Sequence, residues 1–132
     1  MRFSLPTLCV LLLVVLVLGC RKKDAGPGGE CTVQVDMKHH ADGIDNGMVY
    51  IVYGTQDAPA SIGDYDNNIE ITEIDGSYIA SFPDLQIGEY YLYGTGYDNT
   101  IFKDVEGGLP FTIKSTDESP ISITLQVTED GH

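Results

Sequence analysis

From residue 31 onward the chain alternates apolar and polar positions with a period of two. In "CTVQVDM" (31–37), Cys31, Val33, Val35 and Met37 share one side, and Thr32, Gln34 and Asp36 share the other. This is the pattern of a strand buried on one face. The last such stretch is cleaner: Ile121, Ile123, Leu125 and Val127 alternate with Ser122, Thr124, Gln126 and Thr128, directly after Pro120. Between these ends lie "GMVYIVYG" (47–54), "NIEITEI" (68–74), "SYIASF" (77–82), "EYYLYG" (89–94) and "LPFTIK" (109–114), which brings the predicted strands to seven. Turn residues separate them at "DGIDNG" (42–47), at Asp75-Gly76 and at "EGG" (106–108); the Asp75-Gly76 pair, flanked by strand patterns, reads as a tight hairpin. No stretch after residue 20 holds a 3.6-residue period over the length of a helix, and no internal repeat is present. The pattern predicts an all-β chain folded as a seven-stranded antiparallel β-sandwich.

The first twenty residues follow a different rule. Arg2 gives a positive start, residues 8–18 are an unbroken apolar run of 11, and Gly19 precedes Cys20. The arrangement is that of a secretion signal, and the run is shorter than the roughly 20 residues that span a bilayer. "VLGC" (17–20) resembles the bacterial lipobox, in which a signal peptidase cuts before a cysteine whose thiol carries diacylglycerol; Leu18 is a tolerated variant of that pattern. An ordinary signal peptide or a buried apolar helix is the alternative. The lipobox reading divides the chain into a lipoprotein signal peptide with its short helix (1–19), lipidated Cys20 with a flexible tether (20–30), and a β-sandwich domain (31–132). With Cys9 removed and Cys20 lipidated, Cys31 is the one thiol left of three and no intrachain disulfide is expected. Its place on the inward side of the first strand suits a small buried hydrophobe. Arg21, Lys22 and Lys23 would lie beside the lipid, where each can gain about 1 kcal/mol against anionic headgroups. Arginine after Cys20 fits the outer-membrane sorting of the enteric rule.

Charge narrows the partners. Residues 31–132 hold three lysines against 18 acidic side chains, a balance of −15, and the whole chain carries −13. A phosphate backbone would be repelled rather than neutralised, so a nucleic-acid partner is disfavoured and none is expected. An acidic surface suits an exported, solvated domain, or the binding of cations or basic partners.

In "FPDLQIGEYYLYGTGYD" (82–98), the succession Phe82, Leu85, Gly88, Tyr90, Leu92, Gly96 and Tyr97, after an earlier "MVYIVYG", resembles the carboxypeptidase regulatory-like domains of the transthyretin-like (prealbumin-like) β-sandwich class. The resemblance covers about residues 31–128 and rests on glycines and hydrophobes. It implies a transthyretin-like sandwich with Tyr90, Leu92 and Tyr97 in the core and its turn, and a non-catalytic accessory role in binding or stabilising. The enzymatic hydroxyisourate hydrolase type of that class ends in Tyr-Arg-Gly-Ser; this chain ends "TEDGH", so that activity does not carry over.

Several residue groups could carry chemistry. His39 and His40 are adjacent, but a zinc site needs three or four convergent ligands, and neighbours on an extended strand point opposite ways. Their rings are therefore expected apart, although a metal-dependent hydrolase built on them is an alternative. In "DYDNNIEITEID" the acids mimic an EF-hand frame, but Ile69 replaces its glycine and Ile69 and Ile71 demand a strand. What survives is a looser calcium site at Asp64, Asp66 and Asn68, with an acidic turn as the alternative. "GTGYDN" (94–99) lacks the third glycine and the helix of a dinucleotide loop, and reads as a strand-end turn. No nucleophile, base and acid set emerges, so no enzyme activity and no cofactor is expected.

The tyrosines remain. If Tyr90 and Leu92 face the core, Tyr91 and Tyr93 project from the other face, and "MVYIVYG" is apolar on both sides. Either cross-strand packing or the long "DNTIFKDVEGGLP" connection covers this face, or it presents an aromatic platform for a glycan, peptide or protein. The expectation from the whole sequence is a lipid-anchored, non-catalytic envelope lipoprotein that binds or supports an unknown protein or glycan. Its alternatives are a carbohydrate-binding accessory protein using Tyr53, Tyr91 and Tyr93, and the hydrolase at His39 and His40.

Overall fold

The structure is a computed structural model in which residues 25–129 are described. The apolar run, Cys20 and the basic residues 21–23 lie outside the described residues. Among the described residues nine strands follow one another: β1 (Pro27–His39), β2 (Asp42–Ile44), β3 (Met48–Tyr53), β4 (Asn67–Glu70), β5 (Thr72–Ile74), β6 (Ser77–Leu85), β7 (Gly88–Asp98), β8 (Lys103–Ile113) and β9 (Ile121–Gln126). They make two sheets, one built around β1 with β2, β5, β6 and β9, the other ordered β4-β3-β7-β8. Among the described residues no helix is long and apolar enough to cross a membrane.

The two inner faces carry the alternation. Val33, Val35 and Met37 of β1, Ala80 and Phe82 of β6 and Leu125 of β9 are buried together with Val49 and Ile51 of β3, Tyr90 and Leu92 of β7, and Val105 and Ile113 of β8. Cys31 is half-buried and packs against this core. Gly94 keeps the sheets close, since a Cβ there would lie 2.5 Å from Met37 Sδ and 2.7 Å from Leu125 Cδ2.

The sandwich is not wholly antiparallel. β9 runs parallel to β1, pairing Val33 with Ile121 through Lys38 with Gln126, while β6 and β2 pair antiparallel with β1. Residues 114–120 pass from one sheet to the other before β9, and a crossover of that kind leaves strand direction unconstrained by a hairpin. The expected seven strands become nine for two reasons. "NIEITEI" splits: β4 pairs with β3, β5 pairs with β6, and buried Ile71 bridges the step, its N–H donating to the Gly47 carbonyl at 2.9 Å. The "DGIDNG" turn contains β2, which folds back on β1.

The Asp75-Gly76 hairpin forms as expected, both residues at positive φ (50° and 83°) between paired Ile74 and Ser77. The "DNTIFKDVEGGLP" segment, by contrast, is no cover over the sheet. β7 continues through "GTGYD" to Asp98, and β8 pairs with it along its whole length from Lys103. "EGG" is thus strand rather than turn. Its glycines allow close approach: a Cβ on Gly107 would stand 2.2 Å from the Gln126 carbonyl oxygen, and one on Gly108 would stand 2.0 Å from the Tyr91 hydroxyl. Order also begins earlier than the alternation implies. β1 starts at Pro27, and Ala25 packs on the core, so residues 25–30, expected as tether, belong to the sandwich.

Candidate functional site

The tyrosines divide by strand parity. Tyr53 falls on the inner side of β3, its ring 5.9 Å from that of Tyr90 and nearly perpendicular to it. Tyr53, Tyr91 and Tyr93 therefore do not form one surface, which corrects the expected three-ring platform. On the outer face Tyr93 pairs across strands with Tyr50, their centroids 6.1 Å apart. Tyr65, from the segment between β3 and β4, stacks on Tyr93 at 5.9 Å and 23° and lies 5.7 Å from Tyr50. Each of the three rings is half-buried by the others. Tyr93 donates its hydroxyl to the Glu106 carboxylate, and burial, reinforced by that carboxylate, pushes its phenol well above the usual range. Tyr91 is half-buried with its hydroxyl over Gly108. Tyr97, expected with the core and its turn, is exposed, because its odd position on β7 points outward.

The calcium candidates are put to structural use. The Asp66 carboxylate accepts the Tyr53 backbone N–H at 2.8 Å, Asp64 closes a single 3-10 turn over Ile62–Asp64, and Asn68 pairs with Tyr50 in the β3–β4 ladder. Asp64 and Asp66 join no convergent group of three His, Cys, Asp or Glu side chains among the described residues.

Such a group does form at the opposite site. β1 carries its inward parity one step past Met37 and buries His39 at 4% exposure. β7 does the same past Leu92, Gly94 and Gly96, and buries Asp98. His39 Nδ1 is 2.7 Å from Asp98 Oδ2. The other oxygen of Asp98 accepts the Thr100 N–H at 2.8 Å and the Thr100 hydroxyl at 2.6 Å. Glu129 reaches the site from beyond β9, and its Oε2 lies 2.7 Å from His39 Nε2. Its position is set by backbone clamps: Glu106 and Thr128 exchange N–H···O bonds of 2.9 Å, and Val127 N–H donates to the Lys38 carbonyl at 2.9 Å.

The histidine rings are not apart. His40 begins the two-residue turn from β1 to β2 with φ of 56°, outside the extended region in which neighbours diverge. Its exposed ring stands 4.4 Å from that of His39. One ligand atom each from His39, His40 and Glu129 lies within 4.8 Å of the others.

Electrostatics follow from the geometry. The bond to Asp98 raises His39 above its ordinary value, against the effect of burial, with Glu129 adding to the rise. Thr100 first, then His39, hold Asp98 down to about 2. Glu129 is also lowered, by its own backbone N–H and then by His39. Neither Asp98 nor Glu129 stands out in the sequence as a site residue. The signal for Asp98 was its even position on β7; Glu129, beyond the last strand, gave none.

Comparison with protein-family models, with curated proteins and with solved structures yields no match for this chain.

Proposed function

We propose that this protein is a non-catalytic, lipid-anchored lipoprotein of the bacterial cell envelope, at the outer membrane, whose β-sandwich of the transthyretin-like type serves as a binding or supporting module. The observation that carries the reading is "VLGC" at residues 17–20 after an 11-residue apolar run with Arg2 before it. The fold supports the role of a compact tethered body. Ala25 packs on the core, and the Gly26 N–H donates to the Tyr90 hydroxyl at 2.9 Å. Four residues, 21–24, then separate a lipidated Cys20 from the sandwich, a span of at most about 18 Å. A surface for a partner is offered where β7 turns into β8: Ile101 is exposed and Phe102 is 75% exposed, held at a φ of 57° that bulky residues rarely adopt.

The glycan platform has less support than the general binding role. Tyr65 covers a face of Tyr93, and Tyr53 belongs to the other side of the sheet. The test is detergent-phase partition of the protein expressed in a bacterium. The wild type is expected in the detergent phase and Cys20→Ala in the aqueous phase or as uncleaved precursor. Identical partition of mature forms of both would refute the anchor.

A further inference from the structure

We propose that His39, His40 and Glu129 form a binding site for a divalent transition-metal ion of the zinc class, with Asp98 orienting the buried ring from behind. Two imidazoles and one carboxylate are the donor set that holds zinc where one coordination position stays open to water. Calcium would instead ask for six or more oxygens. Zinc bonds of about 2.0–2.1 Å place tetrahedral ligand atoms about 3.4 Å apart. The present atoms lie within 4.8 Å of one another, with His39 Nε2 and Glu129 Oε2 at 2.7 Å. His39 can therefore stay fixed while His40 and Glu129, both exposed, adjust by roughly an ångström through their own torsions.

The second carboxylate gives the site its orientation. Asp98, fixed by two bonds from Thr100, accepts the proton of His39 Nδ1, which leaves Nε2 directed at Glu129. That is the carboxylate–histidine–metal order in which an outer carboxylate sets the tautomer and raises the basicity of the ligand nitrogen. On binding, the ion takes the place of the proton between Nε2 and Glu129, and that proton passes to solvent. A groove of about 560 Å³ opens beside Glu129; Glu70, Asp104 and Glu106 line it and no basic side chain does. Its field raises the local concentration of cations.

The competing reading is an ion-paired knot, with a His39 imidazolium held between two carboxylates. His40 separates the two, because the knot has no use for a second ring and the metal site does. The test uses the full chain in detergent, without a histidine tag, freed of metal by chelation and titrated with zinc calorimetrically and with cobalt(II) by visible absorption. One equivalent of zinc is expected, with the intense ligand-field bands of tetrahedral cobalt. His40→Asn, which keeps a residue tolerant of positive φ, and Glu129→Gln should each weaken binding at least about tenfold, while melting in chelator stays unchanged for His40→Asn. Asp98→Asn should weaken it by about 10- to 100-fold. Absence of saturable zinc uptake, or uptake that His40→Asn leaves intact, would overturn the site.

Discussion

Tyr90 shows how much one side chain carries. Its ring is fully buried, stacked 5.1 Å from Phe111, while its hydroxyl accepts from Gly26 N–H at 2.9 Å and donates to the Gln86 carbonyl at 2.6 Å. Tyr90→Phe keeps the ring and strands the buried Gly26 donor, so a loss of about 1–3 kcal/mol is expected in urea unfolding. His39 adds a pH signature in the metal-free protein. Asp98, held down to about 2, contributes stability that is present above its ordinary 3.8 and is lost as pH falls through the lower value. His39 contributes stability that is complete below its ordinary 6.5 and is lost as pH rises through its raised folded value. Glu129, also lowered, gives its full contribution only above its ordinary 4.5, so melting in chelator should be highest between the ordinary values of Glu129 and His39, 4.5 and 6.5. Asp98→Asn should lower the maximum and flatten both flanks; flanks of wild-type slope in that variant would show that these residues are uncoupled from folding.

Elements bring these residues together through backbone contacts that glycine permits. At Gly107, β8 meets the chain leaving β9, and the Glu106–Thr128 bridge that positions Glu129 forms there. Gly107→Ala would press a Cβ against the Gln126 carbonyl, an atom that cannot rotate away. A loss of about 1–3 kcal/mol is expected, together with weaker zinc binding than that of the wild-type chain; a variant with wild-type melting would contradict the close approach. Alternation made much of the core legible, including Val33, Val35, Met37 and Leu125, whereas Tyr90 and Leu92 stand in a run that is apolar on both sides and are placed inward only by the family resemblance. It did so because the residues of each strand feel one buried face. The same alternation extended by one step reaches His39, and by three steps from Leu92 reaches Asp98, but polar residues at inward positions look like strand ends when no partner is in view. "NIEITEI" read as one strand because parity says nothing about which sheet a strand joins. "EGG" read as a turn because the neighbours that need its missing side chains, Tyr91 and Gln126, are remote in sequence. The approach of the two histidine rings is not legible in the sequence, since the positive φ of His40 is a property of the turn rather than of its composition.

At the scale of the whole molecule, β1 sets the long axis. Pro27 and Cys31 both pair with Leu85, so the strand's reach is that of residues 31–39, which at about 3.3 Å per residue places the histidine corner on the order of 26 Å from the end nearer Ala25. A lipid on Cys20 would hold one end of the sandwich close to the membrane and direct the His39, His40 and Glu129 corner away from it, toward solvent and its cations. The charge balance fits that arrangement, with −15 over residues 31–132 set against the three bases at 21–23 that follow Cys20. Anchoring is thus the claim on which the reading of function depends. Its most direct measurement is mass spectrometry of the N-terminal peptide of the protein purified from bacterial membranes. A mature chain that begins at Cys20 and carries a diacylglycerol thioether is expected; an unmodified Cys20 inside a longer chain, or a mature terminus elsewhere, would contradict anchoring.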